Sequence, residues 1–110
     1  MIEDAVYLEA KAAELHKQIP LIDGHNDLPW QYRIRTQRAL SKLDIDVIQR
    51  DLDTDKPRLR KGGIGGQFWS VYVPTDIPSS QAVQATMQQI DLVHNMIERY
   101  PNASFGSFSK

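Results

Sequence analysis

Gly62-Gly-Ile-Gly-Gly66 runs straight into Gln67-Phe-Trp-Ser-Val-Tyr-Val73, and Pro74 closes the segment. No other stretch of the 110 residues restricts the fold so tightly. A run this rich in aromatic and β-branched residues is a strand. Its span, Ile64 to Val73, suits burial on both faces and pairing on both edges, as in a parallel sheet. Left unpaired, such a strand exposes a flat apolar edge that invites aggregation. The glycines precede the strand and no Lys-Ser/Thr pair follows them, whereas a phosphate-binding loop needs the reverse order. Close approach of neighbouring backbone is the better account of them.

Upstream, Ala5, Leu8, Ala12, Leu15 and Ile19 recur at alternating spacings of three and four, which predicts a helix with one apolar face. Pro20 stops it. His16 lies beside the stripe, and a lone helical histidine is ordinarily a surface residue. Leu21-Ile22 reads as a short buried strand, and Pro29 sits near the first position of a new turn or helix.

Residues 31–60 carry the weakest periodicity. Asp44, Asp46, Asp51, Asp53 and Asp55 crowd one stretch, yet the glycine and distal glutamate of a calcium loop are missing. A solvated loop is the expectation. Asp55 then caps a short helix through Arg58-Leu-Arg-Lys61 that ends at Gly62. Ser79 or Ser80 is expected to cap a last helix of about 20 residues, with Val83, Met87, Ile90, Val93, Ile97 and Tyr100 as its apolar stripe. Pro101 ends it. His94 lies beside that stripe and reads as a satisfied helix residue, not a ligand. Residues 102–110 have no periodicity and are expected to be a disordered tail. The alternation of helices with strands predicts an α/β protein with a parallel sheet.

Composition narrows the chemistry. There are no cysteines, which excludes disulfides, thiolate nucleophiles and zinc–thiolate sites. Any metal must be held by imidazole and carboxylate. The net charge of −1 gives no electrostatic reason to expect nucleic acid or an anionic membrane as partner. No stretch approaches the roughly 20 apolar residues of a spanning helix. The first 20 residues are charged and amphipathic, unlike a secretory signal, so the cytoplasm is the expected compartment.

The chemistry gathers at the end of the first strand, in Asp23-Gly-His-Asn-Asp27. Strand alternation predicts Asp23, His25 and Asp27 on one face while the extended geometry lasts. Parallel α/β folds collect reactive groups at the carboxyl ends of strands. His25 offers a borderline nitrogen and Asp27 a hard oxygen, a mixture suited to zinc. Asp23 is placed to orient the imidazole from outside the ligand set. Spacing alone does not separate this from a turn of hydrogen-bonding residues.

The residues themselves decide more. Pro20-Leu-Ile-Asp-Gly-His-Asn-Asp-Leu-Pro-Trp30 resembles the opening motif of the membrane (renal-type) dipeptidase family. So does Arg58-Leu-Arg-Lys-Gly-Gly-Ile-Gly-Gly-Gln-Phe-Trp-Ser-Val-Tyr-Val-Pro74. Gln88-Gln-Ile-Asp-Leu-Val-His94 through Glu98-Arg-Tyr-Pro101 is similar to the family too, and the three blocks keep its order. The resemblance implies the N-terminal portion of a (β/α)8 TIM-like barrel, about two strands of eight and incomplete as a stand-alone fold. On that basis residues 1–101 are the first part of the barrel domain and 102–110 a disordered or aberrant tail. The resemblance further implies two zinc ions, hydrolysis of dipeptides, and His25 and Asp27 as the first two metal ligands. A bridging glutamate, two more histidines and the groups that grip the substrate's termini have no counterpart in this sequence. The expected partners are a dipeptide and, for the full-length enzyme, a second copy in a homodimer. The competing readings are another amidohydrolase-type metal hydrolase and a non-catalytic truncated product or interaction module.

Overall fold

The computed structural model describes residues 2–101, so the tail expected to be disordered lies outside the described residues. In order come α1 (Ile2–Gln18), β1 (Leu21–Asn26), α2 (Leu28–Thr36), a 3-10 turn (Leu40–Lys42), α3 (Lys56–Lys61), β2 (Ile64–Trp69) and α4 (Ser79–Arg99). β1 and β2 pair in parallel, as the alternation predicts. The chain is α/β.

The core lies to one side of this sheet. Leu28 and Tyr32 of α2, Ile45 and Leu52 of the connection, and Leu92, Met96 and Tyr100 of α4 form one buried cluster. Tyr32 is fully buried, and its hydroxyl donates to the Leu43 carbonyl at 2.7 Å. Burial, with the Tyr100 hydroxyl next to it, pushes the Tyr32 phenol well above its ordinary pKa.

Residues 44–55 depart from the solvated loop expected of them. They have no helix or strand, but Ile45 and Leu52 reach the core and Thr54 and Asp55 are buried. The acidic side chains hide this, because only two apolar residues anchor the segment and they lie seven apart. Asp55 caps α3 as predicted, accepting from the Arg58 N–H at 2.9 Å, and Gly62 ends the helix.

β2 stops at Trp69, four residues short of the predicted end. β1 itself ends at Asn26, and after the bond from Ser70 N–H to the Asn26 carbonyl no described strand continues the ladder. The chain turns instead, and Tyr72 meets Trp30 edge to face with ring centroids 5.4 Å apart.

α4 begins at Ser79, but neither serine caps it. Pro78 holds the cap position and no side chain bonds there. Its buried line is Ala85, Gln89, Leu92 and Met96, continued by Tyr100, a face turned about one residue from the predicted stripe. Val83 stays 74% exposed. Both faces of this helix are apolar enough to be buried, and contact with α2 selects between them. α1 forms as predicted, yet its stripe is exposed throughout, and among its described side chains only His16 is half-buried.

Candidate metal centre

Two irregularities shape the strand end. Between Leu21 and Ile22 the partner strand advances by an extra residue, from Ile64 to Gly66. Between Asp23 and Asn26 the extra residue lies in β1, since the partners there are Gln67 and Trp69. The second is a bulge, a device that re-aims side chains beside functional sites.

Its effect is to overturn the one-face expectation. Asp23 and Asn26 both turn toward Gln67, whose Nε2 donates to Asp23 Oδ2 at 2.8 Å and whose Oε1 lies 3.5 Å from Asn26 Nδ2. His25 and Asp27 turn the other way, into solvent, with side chains 67% and 50% exposed. Asp23 therefore accepts from the main-chain N–H of His25 at 3.5 Å, while the imidazole meets Asp27.

His25 Nε2 and Asp27 Oδ1 stand 3.1 Å apart. Two donors on one tetrahedral zinc, each about 2.0–2.2 Å from the ion, are separated by about 3.4 Å. The pair thus has the chemistry and nearly the spacing of two ligands to a single ion. Asp27 is free for this because it holds the cap position of α2 without capping it. Asn26 Oδ1 accepts the Leu28 N–H instead, at 3.0 Å.

Two donors are half of a zinc site. Among the described residues no group of three or more His, Asp or Glu side chains is placed to hold a metal. His94 is exposed on α4 and takes no part in the pair. Beside Asp27 opens a shallow cleft of about 160 Å³ lined by Leu28, Gln31, Arg35, Asp51, Leu52 and Thr54 among others. The positions that sequence reasoning missed are Asn26, Thr54 and Gln67, which join beneath the pair: Asn26 Nδ2 donates to Thr54 Oγ1 at 3.0 Å. Asn26 could have been noticed between two candidate ligands. Thr54, amid aspartates, carries no such signal.

Residues 9–107 match the sequence model for membrane dipeptidase (Peptidase family M19). The chain belongs to the membrane dipeptidase family. Three relatives illustrate its place in that family. It is 38% identical over 100 residues to Dipeptidase ataJ of Aspergillus terreus (strain NIH 2624 / FGSC A1156), covering 84% of this chain and 24% of the relative. It is 41% identical over 101 residues to Dipeptidase verJ of Clonostachys rogersoniana, covering 83% and 26%. It is 39% identical over 94 residues to Dipeptidase 3 of Rattus norvegicus, covering 86% and 19%. This membrane dipeptidase chain therefore spans about a fifth to a quarter of the length of the curated relatives it matches. Despite the family's title, no helix among the described residues is long and apolar enough to cross a membrane.

Proposed function

We propose that this chain furnishes the first two metal ligands of a binuclear zinc dipeptidase, the opening β-α units of a (β/α)8 barrel. The observation that carries the reading is the outward-turned His25–Asp27 pair inside a family match over residues 9–107. Both ligands leave the carboxyl end of a parallel strand, the end at which barrel enzymes assemble their sites. Zinc bound there supplies Lewis-acid polarisation of a peptide carbonyl and activation of water at neutral pH. The chain's own part is to present His25 Nε2 and Asp27 Oδ1 side by side at 3.1 Å, on a strand end backed on its inner side by Asn26, Gln67 and Thr54. A dipeptide is the substrate, and catalysis requires ligands that these residues do not include.

Zinc affinity and dipeptide hydrolysis, measured on the complete polypeptide produced from its gene, test the proposal. His25→Ala and Asp27→Ala should each weaken zinc binding more than about 100-fold, beyond what losing a hydrogen-bond partner around a metal costs. Hydrolysis should fall with it. The 110-residue chain alone should bind zinc weakly and turn nothing over. Undiminished zinc binding in His25→Ala would sink the assignment. A second reading, a non-catalytic interaction module, draws on the exposed apolar residues of α1 and β2. A polypeptide that folds fully without taking up zinc would favour it.

A further inference from the structure

His25 and Asp27 have each other as side-chain partner and stand largely in solvent, so their own surroundings do little to aim them. The residue between them is held on every side. Asn26 Oδ1 accepts from Leu28 N–H at 3.0 Å, Nδ2 donates to Thr54 Oγ1 at 3.0 Å, and its carbonyl accepts from Ser70 N–H at 2.9 Å. These partners belong to α2, to the connection before α3, and to the segment after β2. Gln67 is buried, sits 3.5 Å from Asn26 Nδ2, and extends the network to Asp23, which receives the His25 main-chain N–H.

We infer that Asn26, clamped by Thr54 and Gln67, is the positioning residue that sets the separation and direction of the His25 and Asp27 donors. The inference rests on the zinc-dipeptidase reading. Its physical basis is the bulge: with Asn26 turned inward and fixed, the main chain on either side of it is fixed too. Two exposed side chains then converge to 3.1 Å from a rigid three-residue base. Loss of the clamp leaves both ligands present and lets the distance between them drift, which loosens a metal site without removing a donor.

The decisive comparison is Thr54→Val against Thr54→Ser in the complete polypeptide. Valine keeps the volume and removes the hydroxyl, whereas serine keeps the hydroxyl. Gln67→Met is a second variant of the network should Thr54→Val fail to fold. Zinc affinity comes from chelator competition, ligand geometry from the visible spectrum of the cobalt-substituted protein, and stability from the thermal midpoint. Thr54→Val and Gln67→Met should bind zinc about tenfold more weakly and shift the cobalt bands, with Thr54→Ser close to the parent. Thr36→Val serves as the stability control, since it loses a buried bond to the Tyr32 carbonyl at the far end of α2. It should lower the midpoint and leave affinity and spectrum alone. Parental affinity and spectrum in Thr54→Val overturn the positioning role, and so do equal shifts in Thr36→Val. A parent protein that takes up no zinc overturns the metal reading and this inference with it.

Discussion

At the residue scale, Asp55 is the most constrained side chain. It is 0% exposed and accepts from the Gln49 and Arg58 main-chain N–H groups, both at 2.9 Å, and from Arg58 Nε at 2.5 Å. Burial is the largest single influence on its carboxyl and would raise the pKa. Together the Arg58 and Gln49 bonds and the guanidinium charge outweigh it and hold the group below the usual carboxylate value. A depressed folded pKa stabilises the fold fully above the unfolded value near 3.9, and that contribution is lost as pH falls through the folded value. Asp55→Ala should therefore cost about 2 kcal/mol near neutral pH, read as roughly 30-fold faster amide exchange at Arg58 and Gln49. Below about pH 4 the gap between parent and variant should close. A gap that widens in acid contradicts the assignment. The cap was legible because Asp before a Pro-bearing helix start is a local signal. Its burial was not, since that depends on where residues 44–52 fold back.

At the element scale, the β1–β2 pair depends on two glycines with different tolerances. A Cβ on Gly65 would lie 3.0 Å from Pro20 Cβ, 3.1 Å from Pro20 Cα and 3.3 Å from the Leu21 nitrogen, where backbone cannot yield. A Cβ on Gly66 would meet only Ile22 Cδ1 closely, the end of a side chain that is 51% exposed and free to swing away. In the complete polypeptide Gly65→Ala should lower stability by about 1–3 kcal/mol in chemical denaturation and Gly66→Ala by clearly less. The reverse ranking would show that the strands are not in this register. Glycine-rich approach was readable in the sequence, and so were α1, α3, α4 and the parallel order, whereas α2 reads equally as a turn or a helix. The bulge that turns His25 outward was not, because alternation assumes regular pleating and only the pairing with Gln67 and Trp69 reveals the extra residue. α4 shows the same limit, since its apolar residues encircle enough of the helix that the partner α2 picks the buried face.

At the scale of the whole molecule, apolar surface is left uncovered on α1, on both strands and on α4. Val6, Leu8, Leu15 and Ile19 line α1 and the turn after it, Ile22 and Phe68 the sheet, and Val83 and Met87 the outer side of α4. The radius of gyration, 16.6 Å, exceeds the roughly 13 Å of a compact chain of this size. The 110-residue chain should accordingly self-associate as concentration rises and melt without a sharp transition, with Phe68→Lys reducing light scattering. A monodisperse monomer with a cooperative transition would refute this. The network around Asn26 also orders events during synthesis. His25 and Asp27 leave the ribosome on the order of a few seconds before Gln67 does. Until Thr54 and Gln67 have followed, only local bonds from the Leu28 and His25 N–H groups hold the strand end. The histidine and aspartate are made early, but they become a matched pair only once the second strand exists; under the proposed zinc reading, metal loading belongs to the end of folding and not to its start.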